Sequence, residues 1–92
     1  MRTQVINAHK TLIPKNSVFI GRPSKWGNPF IIGLHGNRVT VIKKYEDWIR
    51  TQPQLMNSLQ ELKGRILICY CKPQPCHGDV LVKLIKEIYG AE

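Results

Sequence analysis

Three cysteines, a histidine and an aspartate crowd one short stretch of this 92-residue chain: Cys69, Cys71, Cys76, His77 and Asp79. Thiol, imidazole and carboxylate together can ligate a metal, act as nucleophile and base, or cap a helix and leave backbone N–H groups for an anion. A second set lies far upstream, in Arg22-Pro23-Ser24-Lys25-Trp26-Gly27-Asn28. Arg22 and Lys25 suit phosphate or carboxylate. Trp26 suits stacking on a base, and Asn28 suits reading a polar edge or fixing the loop backbone. Each has a plainer alternative. Trp26 can be a core anchor, His77 and Asp79 can cap a helix, and Cys69 can be a small buried hydrophobe.

The elements that position the cysteine stretch are legible. Arg65-Ile66-Leu67-Ile68-Cys69-Tyr70-Cys71 is apolar almost throughout and reads as a strand buried on both faces. Lys72-Pro73-Gln74-Pro75 turns the chain, because proline cannot continue a ladder. Leu81, Leu84, Ile85 and Ile88 then mark one face of a helix. The chemistry therefore sits at a strand–turn–helix junction, where open α/β sheets hold ligands.

Gln4-Val5-Ile6-Asn7 and Ser17-Val18-Phe19-Ile20 read as two further strands, with His9 in a surface loop and Pro14 ending any regular element between them. Residues 21–36 hold four glycines and two prolines and have no period, so they form a loop. Trp26, Phe30, Ile31 and Ile32 within it will seek burial, which argues against disorder. Asn37 can cap a helix whose apolar face is Val41, Ile42, Tyr45, Trp48 and Ile49. Pro53 opens a short helix with Leu55, Leu59 and Leu62, which Gly64 ends, as Gly90 ends the last. The strand–helix–strand crossover favours parallel pairing of the second and third strands. The expectation is one α/β domain over residues 1–92: a small two- or three-layer, Rossmann-like sandwich of about three mostly parallel strands with three helices.

Net charge is +8, and all of the excess lies early. Residues 1–45 carry eight bases and no acid, whereas residues 46–92 carry six of each. A phosphorylated ligand or a polyanion would be drawn to that half, although a basic surface with no specific partner has the same composition. No apolar run reaches membrane-span length, and no basic-then-apolar leader opens the chain. The odd cysteine count, with two on one strand, argues against a disulfide scaffold and for a reduced cytoplasmic setting.

Three chemistries compete at the junction. In the first, an anionic or nucleotide-like ligand is held by Arg22, Ser24, Lys25, Trp26, Asn28, Arg38, Cys71, Cys76, His77, Gly78 and Asp79, with Gly78 and the first helical turn offering N–H groups. His77 and Asp79 then become candidates for acid–base work. In the second, Cys69, Cys71, Cys76 and His77 bind zinc, although C-x-C…C-H is not a common zinc spacing. In the third, Cys76 is a nucleophile with its thiolate stabilised by the helix start. The first is preferred; no cofactor is favoured, and no reaction is assigned.

Ile20-Gly21-Arg22-Pro23-Ser24-Lys25-Trp26-Gly27-Asn28-Pro29-Phe30 and Cys69-Tyr70-Cys71-Lys72-Pro73-Gln74-Pro75-Cys76-His77-Gly78-Asp79 together resemble the family catalogued as domain of unknown function 4326, common in phages and bacteria. Arg38, Tyr45, Trp48 and Leu62-Lys63-Gly64 also fit, while Tyr70 stands where the family more often has Trp. The resemblance implies an α/β fold and a site shared by the two motifs, and for a phage protein it implies the host cytoplasm. It implies no reaction. Two other classes of function remain. A nucleic-acid-binding module would use the basic half and Trp26, and its binding would fall steeply with salt. A phage accessory protein directed at a host protein would be indifferent to Arg22, Lys25 and His77.

Overall fold

The structure, a computed structural model, describes residues 3–7, 15–70 and 74–90. The sequence-based readings of His9, Pro14, Cys71 and Lys72-Pro73 lie outside the described residues. Strands β1 (Gln4–Asn7) and β2 (Ser17–Phe19) precede helices α1 (Arg38–Ile49) and α2 (Pro53–Ser58). A single 3-10 turn (Leu59–Glu61), strand β3 (Ile66–Cys69) and helix α3 (His77–Tyr89) complete the order.

The three strands form one sheet in the order β1-β3-β2, and both pairings are parallel. The apolar run thus takes the centre, where a strand has no solvent-facing edge. Its strand is shorter than the run because its partners are short. Asn7 pairs with Cys69 at the end of β1, and Phe19 pairs with Ile68 at the end of β2. The Ile20 N–H still reaches the Ile68 carbonyl at 3.0 Å, which carries the β2 ladder one residue further.

Val5, Leu67 and Val18 form a row across the sheet, and all three belong to or pack on the main core. From α1, Tyr45 and Ile49 join that core and Val41 is also buried, and from α3 Val80, Leu81, Leu84 and Ile85 are buried. Each such side chain contributes roughly 1.5–3 kcal/mol by leaving water. Ile88, expected on the buried face of α3, is 47% exposed, whereas Val80 is buried and Tyr89 packs on the core. The third leucine-rich element is α-helical only to Ser58; the 3-10 turn then brings Leu59 and Leu62 fully inside, with Leu55 half-buried.

The termini follow the predicted chemistry. Asn37 Oδ1 accepts the Thr40 N–H at 2.9 Å, Pro53 opens α2, and Gly64 has φ +73°. On the outer surface Glu46 meets Arg50 and Lys83, and Arg50 also meets Glu87, which ties α1 to α3. At Gly78, α3 lies tight against the sheet. A Cβ there would lie 2.8 Å from Ile20 Cδ1 and 3.0 Å from Val5 Cγ2, so the helix start rests directly on β1 and the end of β2.

Candidate functional site

A cavity of about 380 Å³ opens beyond the carboxyl ends of β2 and β3. Phe19, Gly21 and Arg22 reach it from β2, and Cys69 and Tyr70 from β3. Cys76 and His77 line it from the start of α3, and Arg38, Val41 and Ile42 from α1. The remaining wall is loop: Asn28, Phe30, Ile31, Ile32 and Pro75. The two distant motifs therefore meet at one opening. No Asp or Glu is among the described residues that line it.

Two cations face this wall. Arg22 is exposed and has neither a hydrogen-bond nor an ion-pair partner among the described residues. Arg38, the first residue of α1, donates from Nη1 to the Pro75 carbonyl at 3.2 Å and meets no carboxylate among the described residues. Asn28 fixes the loop: its Nδ2 donates to the Val41 carbonyl at 3.1 Å, and its Oδ1 accepts the Phe30 N–H at 2.9 Å.

His77 is 8% exposed, and its Nε2 lies 2.7 Å from the Ile20 carbonyl oxygen. A carbonyl can only accept, so Nε2 carries the proton. The ring packs edge-on against Tyr45 at 5.1 Å between centroids. Burial holds its pKa below the ordinary histidine value, and the Arg22 charge adds to this; the Ile20 hydrogen bond opposes it. The imidazole is thus neutral near pH 7, with Nδ1 as the site of the lone pair.

Cys76 caps α3. Its Sγ accepts the Gly78 N–H at 3.3 Å, and the Asp79 carboxylate accepts the Cys76 N–H at 3.1 Å. Cys69 Sγ lies 3.4 Å from Cys76 Sγ. Burial first, and the neighbouring Cys69 thiol second, push the Cys76 pKa up to about 12. The bond from Gly78 favours a thiolate but is outweighed. Cys76 is therefore a neutral thiol, which weighs against the third of the competing chemistries, a nucleophile activated by the helix start. Among the described residues no three His, Cys, Asp or Glu side chains come together as a metal-binding group. The fourth residue of the expected zinc set, Cys71, lies outside them.

Several expected ligand residues stand elsewhere. Trp26 is 2% exposed and belongs to the core, where its carbonyl accepts the Tyr45 hydroxyl at 2.7 Å, so its ring offers no face to a base. Lys25 pairs with Glu61 at 3.0 Å and lies over the Trp26 ring, away from the cavity. Ser24 does not line it either; its Oγ is buried without a hydrogen bond. Gly78 is pressed on the sheet with its N–H taken by Cys76, and Asp79 is spent on the cap, so the helix start does not present those groups to the opening.

Two of the cavity's aromatic faces, Phe19 and Tyr70, come from residues not among the expected ligand set. Phe19 and Tyr70 meet edge to face at 5.7 Å at the two strand ends, 38% and 55% exposed. Their signal was an aromatic residue placed where each strand runs out of ladder. Ile31 and Ile32, expected to be buried, are half-exposed at the mouth.

A family model for a domain of unknown function, DUF4326, matches residues 4–87, a span that contains both motifs. The chain belongs to that family. It is also similar to the "Uncharacterized 12.4 kDa protein in nrdA-td intergenic region" of Enterobacteria phage T4, at 31% identity over 90 residues, covering 94% of this chain and 80% of that protein. No solved structure matches. The family read from the two motifs is thus the right one, and its link to phage proteins holds. No helix among the described residues is long and apolar enough to cross a membrane.

Proposed function

We propose that the cavity binds a small anionic ligand with an apolar or aromatic part, a nucleoside phosphate being the class that fits best. One observation carries this reading: Arg22 and Arg38 border a mostly apolar and aromatic opening, and among the described residues no carboxylate neutralises either. A phosphate would gain charge-assisted hydrogen bonds worth roughly 1.5–3 kcal/mol each. A base against Tyr70 or Phe19 would gain about 1–3 kcal/mol more. The 380 Å³ volume lies in the range of small-ligand sites and suits one mononucleotide better than a strand. The position beyond parallel strand ends is the one that Rossmann-like sheets use, and such ligands belong to the cytoplasm.

Calorimetric titration with inorganic phosphate, AMP and UMP tests this. Both nucleotides should bind saturably and more tightly than phosphate. Arg22→Ala and Arg38→Ala should each weaken binding about tenfold or more. Tyr70→Ala should weaken the nucleotides alone. Folded protein that binds none of the three at millimolar concentration would remove the proposal. Binding only to oligonucleotides, with a steep loss between low and moderate salt, would transfer the site to the nucleic-acid reading.

A further inference from the structure

We propose that His77 is a phosphoryl-accepting nucleophile, whose Nδ1 takes the phosphoryl group of a monoester or acyl phosphate held by Arg22 and Arg38. This rests on the anion-site reading above and adds a reaction to it. The geometry points to Nδ1 in three steps. Nε2–H is fixed to the Ile20 carbonyl at 2.7 Å, which leaves the lone pair on Nδ1. Nδ1 has no hydrogen-bond partner among the described residues, so its lone pair is not taken up there. His77 itself lines the cavity, together with Arg22 and Arg38.

The surroundings favour this group over any other in the cavity. The ring is held from two sides, by the Ile20 carbonyl and the Tyr45 ring, which limits its rotation. Among the described residues its charged neighbours are Arg22, which would stabilise an incoming phosphoryl group, and Asp79, whose carboxylate accepts the Cys76 N–H. Cys76, which also lines the cavity at the helix start, is a buried neutral thiol. His77 is the first residue of the 13-residue helix α3, whose positive end favours a phosphorylated ring.

The step balances without a metal or an oxidant. The Nδ1 lone pair forms an N–P bond as the bridging P–O bond breaks. The leaving oxygen departs with the electron pair and, if basic enough, takes a proton from water. Nε2 keeps its proton, so the product is a phosphoryl-imidazolium still bonded to Ile20. Water then attacks phosphorus, the P–N bond breaks, its pair returns to Nδ1, and inorganic phosphate and a proton leave.

The test incubates the protein with acetyl phosphate, quenches in base, and reads intact mass beside phosphate release. The expected result is a single phosphoryl adduct, stable in base and lost in acid, localised to His77 by fragmentation, or else His77-dependent release of phosphate. His77→Gln, which keeps a donor for the Ile20 carbonyl, should show neither. Arg38→Ala should slow both by about a hundredfold. Circular dichroism checks that each variant is folded, and should His77→Gln not fold, the fragmentation of the parent adduct decides. Protein that binds phosphate yet forms no adduct and releases none overturns the nucleophile and leaves the anion site standing. An adduct that persists in folded His77→Gln, or maps to another residue, also overturns it. Protein that does not bind phosphate at all removes both readings.

Discussion

Gly27→Ala tests how the fold delivers Arg22 to the cavity. A Cβ at residue 27 would lie 2.9 Å from Arg22 Cγ, 3.0 Å from Arg22 Cα and 3.1 Å from Arg22 N. Ordinary contact between carbon atoms is about 3.5–4.0 Å, so two backbone segments must separate by roughly half an ångström. The side-chain atom can swing aside; the backbone atoms cannot. Residue 27 has little freedom to retreat. Its N–H is bonded to the Ser24 carbonyl at 3.0 Å, and the Trp26 carbonyl beside it is held by the buried Tyr45 hydroxyl at 2.7 Å. Arg22 must therefore yield. Overpacking of this kind costs about 1–3 kcal/mol. Losing glycine's freedom in the unfolded chain returns about 0.4–1 kcal/mol. The net expectation is a loss of about 1–2 kcal/mol, each kilocalorie lowering Tm by about 4–8 °C in a domain of this size. Urea unfolding gives the first number, and calorimetric titration with AMP should show affinity about tenfold weaker. A Gly27→Ala protein with parental stability and parental affinity would refute the close packing of residues 22 and 27 and its role in aiming the guanidinium.

Three further outcomes follow from the same geometry. Lys25→Ala should leave phosphate and AMP binding unchanged and shift stability by no more than about 1 kcal/mol, because the half-exposed Lys25–Glu61 pair is away from the cavity; a large loss of affinity would put Lys25 back in the site. Cys76 and Tyr45 both have pKa values raised by burial, so the unfolded chain loses these protons first and stability should fall as pH rises from about 9 toward 12. Urea midpoints measured across that range should decline, less steeply in Cys76→Ala, and folded protein should alkylate far more slowly at Cys76 than unfolded protein does. His77 has the opposite sign. Its depressed pKa means that the unfolded chain takes up the proton first, so its contribution is complete above pH 6.5 and is lost as pH falls through the lower folded value. A nitrogen-detected NMR titration should find the midpoint below 6.5 and the neutral form protonated on Nε2; a midpoint above 6.5 would contradict the burial argument.

Much of the architecture was open to inspection in the residues alone. The apolar run of β3 reads as a strand buried on both faces, the 3.6-residue spacing of Val41, Tyr45 and Ile49 reads as one helix face, and Asn37, Pro53 and Gly64 cap or break helices by local chemistry that needs no tertiary context. That two glycine- and proline-marked junctions flank parallel strand ends also placed the opening. Which side chains face it was another matter. A loop without a period carries no rule for orientation. Trp26 is buried in the core, with the Tyr45 hydroxyl on its carbonyl, while Arg22, four residues earlier, is left outside. Thiol chemistry was equally beyond local reading. A cysteine at a helix start should ionise readily, yet burial beside Cys69 keeps Cys76 protonated. Short-range rules set conformation, because their causes lie within a few residues. Desolvation, charge and the direction of a loop side chain depend on atoms brought from elsewhere in the chain, and only the folded packing supplies those.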